Sequence, residues 1–428
     1  MLLIKNGLLV TQDHKRRVFR GDVLIDGDRI AKVGKDLPDK VDEVVDASRR
    51  IVIPGLINTH SHTGMSFMRG FADDMALMPW LEERIWPTEA KLTEEAVYYS
   101  TVLAQLEMVS SGTTFCHDMY FWPEQGCRAT ETVGMRFAPG GIFLDFPTNM
   151  ASGPEEYKRS ADALCRASKK HPLIYPDISP HAPYTCSEET LHMAMDVARK
   201  HEVPIQIHLS ETAGEVENMV KDKGKRPPRY LADLGVFDLP TIAFHCVHLD
   251  KDDVRLMADK GVTVSHNPTS NMKLAVGGVP PMALLDKVGV PVGLGTDSNV
   301  SNNNLDMLEE MKVCALVHKA ANMDATVMPA RRVMDMATID AARVMHVEAD
   351  LGSIEEGKLA DMVLLDLDSP RLIPCHDPVS NLVYAAQGGD VTDTLVGGRF
   401  LYRDRAFTFP VDDILKRVRG IAKELTAD

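Results

Sequence analysis

Residues Ile51–His62 read Ile-Val-Ile-Pro-Gly-Leu-Ile-Asn-Thr-His-Ser-His, an apolar run that ends abruptly in two imidazoles. A short run of branched apolar residues is the signature of a strand buried on both faces, so Ile51–Ile57 is expected to be one. Residues two apart on an extended segment point to the same side. His60 and His62 therefore face one way, and an H-x-H pair of this kind can bind one metal ion.

Seven further runs of the same type follow: Thr113–Cys116, Arg136–Phe143, Leu173–Ser179, Val203–His208, Thr241–His245, Val262–His266 and Val290–Gly295. Helical patterns fall between most of them, such as Glu94–Val109 and Glu188–Lys200. Eight β/α alternations give an α/β fold, a (β/α)8 TIM-type barrel. A doubly wound sheet has the same alternation, but the polar residues are informative. The first run ends in His60 and His62, the fourth in Pro180-His181, the fifth in His208 with Glu211 three residues on. The sixth ends in His245, the seventh in His266, and the eighth runs into Thr296-Asp297. In a barrel all these positions lie at the C-terminal face, where the chemistry of that fold is built. Three neutral imidazoles and one carboxylate (His60, His62, His208, Asp297) suit one divalent metal, Zn2+ first, with Fe2+ or Mn2+ as alternatives.

The chain ends read differently. Leu2–Ile4, Gly7–Val10, Asp22–Ile25 and Arg29–Val33 are short strands separated by turn signals such as Asn6-Gly7 and Asp26-Gly27. Asp361–Asp366 and Asp393–Tyr402 repeat the pattern. Both ends are expected to form one small β-sandwich, 1–56 with 349–428, around a barrel at 57–348. An amphipathic helix is expected at Val411–Leu425.

The 428 residues carry 47 Lys and Arg against 62 Asp and Glu, a formal charge of −15. Such a chain repels phosphate backbones, which argues against a nucleic-acid partner. The nearest basic stretch, Lys221–Arg229, is short and interrupted. No apolar run approaches the roughly 18 residues of a membrane span, and the start is too polar for a signal peptide. Seven cysteines (116, 127, 165, 186, 246, 314 and 375) form no C-x-x-C pair and fit a reducing, cytoplasmic setting.

The run Pro54–His62, then Ile207–Thr212, His245–His248, Ser265–Pro268 and Leu294–Asp297, resembles the amidohydrolase superfamily. Within it the chain is most similar to the 5′-methylthioadenosine/S-adenosylhomocysteine deaminases and their 5′-deoxyadenosine deaminase relatives. The resemblance implies a deaminase of an adenosine derivative, placed in salvage of S-adenosylmethionine by-products. His60, His62, His208 and Asp297 would hold a metal that makes hydroxide available. Asp297 would also take the proton of the attacking water. Glu211 would protonate the ring nitrogen and pass a proton to the departing ammonia, and His245 would hydrogen-bond the hydroxide. Glu89 matches the carboxylate that accepts ribose hydroxyls, His181 a substrate contact, and Trp80, in the Asp73–Leu81 loop, an apolar wall over the nucleoside. The fourth strand lacks the lysine that bridges two metals in some relatives, so one metal is expected. The arginines that hold an amino-acid carboxylate in relatives acting on S-adenosylhomocysteine are missing after the third strand. That favours a small, uncharged 5′ group, with Phe143, Phe146 and Met150 around it. A triazine, guanine or pterin hydrolase is the alternative on the same scaffold, and a non-catalytic scaffold the alternative of another class. The partner is a small-molecule nucleoside, and the resemblance suggests a homo-oligomer, dimer or tetramer.

Three polar features are expected to be structural. His266 is read as a hydrogen-bonder rather than a ligand, His117-Asp118 after the second strand as groups that support the site from behind, and Ser301–Asn304 as the cap of a helix at Leu305–His318.

Overall fold

Eight parallel strands form one sheet in chain order: β1 (Leu56–Asn58), β2 (Thr113–Asp118), β3 (Arg136–Phe143), β4 (Asp177–Pro180), β5 (Ile205–Leu209), β6 (Thr241–His245), β7 (Thr263–His266) and β8 (Val292–Leu294). The computed structural model describes every residue except Asp39, Ala76, Ala427 and Asp428. First and last strands meet: Thr59 N–H donates to Leu294 O (2.9 Å), Asp297 N–H donates to His60 O (3.0 Å), and Ser61 pairs with Asp297. The sheet therefore comes round on itself as a barrel. Its strands are buried along their whole length, as expected where helices cover a parallel sheet. Helices such as Glu94–Ser110 and Glu188–His201 lie within a residue of their sequence limits.

The opening run divides where it was expected to be continuous. Arg50–Pro54 pairs antiparallel with Met362–Asp366 in the terminal sheet, and only Leu56–Asn58 enters the barrel. Pro54 has no N–H to continue a ladder, and a Cβ on Gly55 would lie 2.0 Å from Thr114 Oγ1. The Pro-Gly pair thus carries the chain from one sheet into the other at a contact only glycine permits.

The terminal sheet has nine strands drawn from both chain ends. The N-terminal run is one strand, Leu2–Val10, rather than two. Asn6-Gly7 is not a turn but an irregularity in the pairing with Val18–Asp26, where the register shifts between Ile4 and Gly7 and Asn6 sits at φ 65°. The Gly397-Gly398 pair turns Val391–Val396 into Arg399–Arg403. A buried pair fixes this sheet to the barrel: Arg136, at the start of β3, donates to Asp361 through Nε (2.8 Å) and Nη2 (2.9 Å).

Candidate active site and metal centre

The pairing of β1 with β8 continues past both strands. Asn58 Nδ2–H donates to Thr296 Oγ1 (2.7 Å), which draws the His60–His62 segment alongside Asp297. Asp297 Oδ1 lies 3.6 Å from His60 Nε2 and 3.3 Å from His62 Nε2. His208, near the end of β5, has its ring centroid 5.0 Å from that of His60 and 5.5 Å from that of His62. Nitrogen or oxygen atoms of His60, His62 and Asp297 all fall within 4.8 Å of one another, as do those of His60, His208 and His245.

Hydrogen bonding shows which nitrogens are free. His62 Nδ1–H donates to Met119 O (2.6 Å) and His208 Nδ1–H to His181 O (2.8 Å), turning both Nε2 lone pairs toward the shared centre. Both ring nitrogens of His60 are buried without a partner. An unsatisfied buried polar atom is costly, and a cation at the centre accounts for the His60 lone pair. Burial, with crowding by neighbouring imidazoles, holds His60 and His208 far below the usual histidine range, so both are the neutral form a metal needs. Burial works the other way on Asp297, but His62, His245 and hydrogen bonds from Ser270 and the Ser298 N–H outweigh it and keep it ionised. The donor set fits one divalent ion, with three imidazoles and a carboxylate as for zinc.

Around this centre one cavity of about 1470 Å³ is lined by His62, Trp80, Glu89, His181, His208, Glu211, His245 and Asp297, with His60 buried beneath. The residues expected to bind metal, act in the reaction or contact substrate (His60, His62, Trp80, Glu89, His181, His208, Glu211, His245 and Asp297) thus lie in or under one pocket. Glu211 is buried, which raises its pKa, and its Oε1 lies 3.8 Å from His245 Nδ1. His245 Nδ1–H donates to Asn271 Oδ1 (2.8 Å), which orients the ring. Burial depresses its pKa, but Glu211 and Asp297 outweigh that and raise it. His181 is drawn down to about 3 by burial and by His62 and His245. Its Nδ1 is 3.0 Å from Thr185 Oγ1. Glu89 is pushed up to about 7 by burial, against a hydrogen bond from the Tyr120 hydroxyl to Oε1 (2.8 Å). Trp80 is buried, with an indole N–H that has no protein partner. Trp80 ends a short helix, Leu77–Trp80, where a loop over Asp73–Leu81 was expected; Ala76 of that stretch lies outside the described residues.

Several strand-end residues adopt left-handed backbone: Ser210 (φ 50°), His245 (φ 65°), Cys246 (φ 52°) and Asp297 (φ 61°). For non-glycine residues this is a strained conformation that clusters where side chains must be aimed.

Sequence reading found the supports at His117 and Asp118 but missed those at Ser270, Asn271, Tyr120, Asp177 and Gln206. Ser270 Oγ–H donates to Asp297 Oδ2 (2.6 Å), and Asn271 holds His245. Both follow His266 in the short helix Pro268–Lys273, and their polar character just past a barrel strand was the available signal. Tyr120 follows β2 in the same way. Asp118, raised to about 6 by burial, accepts from Thr63 N–H (2.6 Å) beside His62. Beneath the site, His117 and Gln206 both hydrogen-bond the buried Asp177.

Three expectations change. The helix after the eighth strand is Met307–Asn322, and its cap is Asp306, which accepts from Leu308 N–H (2.9 Å). The Ser301–Asn304 tract instead ties down the loop beyond Asp297: Asn302 Nδ2–H donates to Thr296 O (2.8 Å) and Glu310 Oε2 (3.0 Å). Of the three residues expected around a 5′ group, Phe146 lines the cavity, while Phe143 is packed in the core and Met150 lies against the Trp122 N–H. His266 stands away from the cavity lining, its Nε2 3.0 Å from His318 Nε2.

A parallel barrel with a three-histidine, one-aspartate centre at its C-terminal mouth, and an acid beside it, defines a metal-dependent hydrolase. The chain belongs to the amidohydrolase family, whose model matches residues 51–401. It is 43% identical over 430 residues to a 5-methylthioadenosine/S-adenosylhomocysteine deaminase of Syntrophobacter fumaroxidans, covering 99% of this chain and 98% of that one. It is 41% identical to a 5'-deoxyadenosine deaminase of Methanosarcina mazei over 430 residues, 100% of this chain and 98% of the relative. A zinc-bound adenosine deaminase structure from Xanthomonas campestris superposes with a TM-score of 0.96 at 34% identity, covering 99% of this chain and 98% of that chain.

Proposed function

We propose that this chain hydrolyses the exocyclic amino group of an adenosine derivative, giving the inosine derivative and ammonia. The observation that carries the reading is one cavity holding the metal-type donor set, an acid beside it, and a half-buried carboxylate, Glu89, on the same wall system. A bound divalent ion, held by His60, His62, His208 and Asp297, supplies Lewis acidity that makes water nucleophilic near neutral pH. The residues do the rest. Asp297 takes the proton of the attacking water as oxygen bonds to C6. Glu211, whose pKa burial raises, gives its proton to the adjacent ring nitrogen. His245, steered by Asn271, holds the attacking oxygen in line. The C6–N bond then breaks as the proton that Asp297 collected passes by way of Glu211 to the amino nitrogen, which leaves as ammonia. The second proton of the water leaves the C6 oxygen, which becomes the carbonyl, and returns to Glu211, restoring both carboxyl groups.

Glu89 takes the ribose diol. Tyr120 occupies Oε1 from one side, and the remaining lone pairs face the cavity. His181 contacts the sugar end and Trp80 covers the base. Among the described cavity residues Lys223 is the one Lys or Arg, its Nζ 3.9 Å from Glu188 Oε1, and the carboxylates Asp145 and Asp222 line the same cavity. That balance favours a small, uncharged 5′ group, as in 5′-deoxyadenosine, 5′-methylthioadenosine or adenosine, over the carboxylate of S-adenosylhomocysteine. A triazine, guanine or pterin offers Glu89 no diol.

The same reading places the enzyme in the cytoplasm, as a dimer or tetramer salvaging S-adenosylmethionine by-products. Its cysteines are free, and no helix among the described residues is long and apolar enough to cross a membrane. The test is ammonia release from the four nucleosides, guanine, a pterin and a triazine. The highest kcat/KM is expected for an uncharged nucleoside; a triazine, pterin or guanine as best substrate would overturn the reading.

A further inference from the structure

Glu215 is a buried carboxylate that the reaction above does not use. It sits in the first turn of the helix Ala213–Lys223, three residues after the cap Thr212, whose hydroxyl accepts from Glu215 N–H (3.1 Å). The T-x-x-E spacing is that of a capping box, in which the glutamate turns back to the N–H of the cap residue itself. Glu215 reaches further. Its Oε1 accepts from Ser210 N–H (2.8 Å) and its Oε2 from Glu211 N–H (2.8 Å). Both oxygens are thus spent on the two amides that lead from His208 to the acid.

The grip falls on a strained segment. Ser210 is left-handed, and its peptide is held from both directions: Ser210 O accepts from His248 N–H (2.9 Å) while its N–H goes to Glu215. Glu211 is the residue immediately after, with its carboxyl 3.8 Å from His245. Taking two amide bonds with two oxygens requires the carboxylate form; burial raises Glu215 to about 7, and the two backbone donors oppose that rise.

We propose that Glu215 is a positioning residue for catalysis, clamping the Ser210–Glu211 backbone so that the Glu211 carboxyl stands where the ring nitrogen is protonated. This rests on the deaminase reading and adds to it a residue at the cavity wall whose two carboxylate oxygens are both taken by backbone amides. Glu215→Gln keeps the volume but presents an NH2 to one of the two backbone donors. A misplacement of the acid by an ångström or so is expected to cost about 10- to 100-fold in kcat. KM and metal content are expected to stay within about twofold.

The decisive comparison is a double-mutant cycle in ammonia release on the best nucleoside. With Glu211→Gln already in place, Glu215→Gln is expected to cost less than about twofold, because the group it positions is gone. An equal loss in both backgrounds would overturn the proposal, since Glu215 would then act on the fold or the metal centre. A second arm needs no variant. In the native holoenzyme the Ser210 and Glu211 amides should exchange with deuterium as slowly as those of β5, and exchange as fast as in exposed loops would overturn the clamp. The wild-type rate judges the deaminase reading, while the cycle and the exchange judge Glu215, so the two fail separately.

Discussion

At the scale of single residues, Glu89, half-buried, and Glu211, buried, are two carboxyls given opposite tasks. Glu211 has to carry a proton, and burial supports that directly. Glu89 has to accept from sugar hydroxyls, and burial opposes it by lifting its pKa to about 7. The sign follows: above pH 7 Glu89 is ionised and accepts from the diol, and below pH 7 it takes a proton and loses acceptor strength. The kcat/KM of the wild type is therefore expected to fall as pH drops through 7. Glu89→Gln should remove that contribution to the acid limb and lower kcat/KM at pH 8 by about 10- to 100-fold, the worth of hydrogen bonds to a charged group. An unchanged acid limb in the variant would show that Glu89 does not titrate in binding. Removing Ser270 Oγ, which donates to Asp297 at 2.6 Å, tests the support of a ligand. Ser270→Ala is expected to weaken metal affinity about 10- to 100-fold, the usual cost of losing such a support. Competition with a chelating dye measures it, and equal affinity would contradict that role.

At the scale of elements, the site depends on how closely β1 approaches β8. Gly295 follows β8 directly, and a Cβ there would lie 2.8 Å from both the backbone N and Cβ of His60 and 2.5 Å from Asn267 Oδ1. Two of those atoms belong to the segment that aims the metal-facing imidazole, so neither can yield without moving it. Gly295→Ala is expected to leave the helical circular dichroism intact while metal content falls well below one equivalent. Full metal occupancy in that variant would show that the approach is not needed. The strand ends were legible because a barrel places its unusual polar residues at one edge. β6 kept its sequence limits because its apolar run is bounded by Pro240 before it and His245 at its end. Ile51–Ile57 did not, because two sheets share one apolar run and the switch at Pro54-Gly55 is set by Thr114, 59 residues beyond Gly55. The Ser270, Asn271, Tyr120 and Glu215 contacts were not legible for a related reason. Each joins segments whose proximity exists only once the barrel closes, except Glu215, which local spacing disguises as an ordinary helix cap.

At the scale of the whole molecule, the chain ends meet in one sheet, and Arg136–Asp361 fastens that sheet to the barrel. Both side chains are buried, and Asp361 Oδ1 also accepts from Gly397 N–H (2.8 Å). Asp361→Asn leaves a buried guanidinium without its counter-charge, which costs about 3–5 kcal/mol. A clear fall in Tm is expected, with kcat per folded molecule unchanged, because Arg136 starts β3 whereas the site lies at the opposite ends of the strands. An unchanged Tm would mean that the pair does not hold the two sheets together.

The account turns on a single ion in a nucleoside-deaminating pocket. The measurement that tests it most directly is ammonia release from 5′-deoxyadenosine while Zn2+ is titrated into chelator-stripped protein, with bound metal counted per chain. The account predicts activity that rises in proportion to metal and levels off at one equivalent. Activity independent of added metal, or rising linearly to two equivalents, would contradict it.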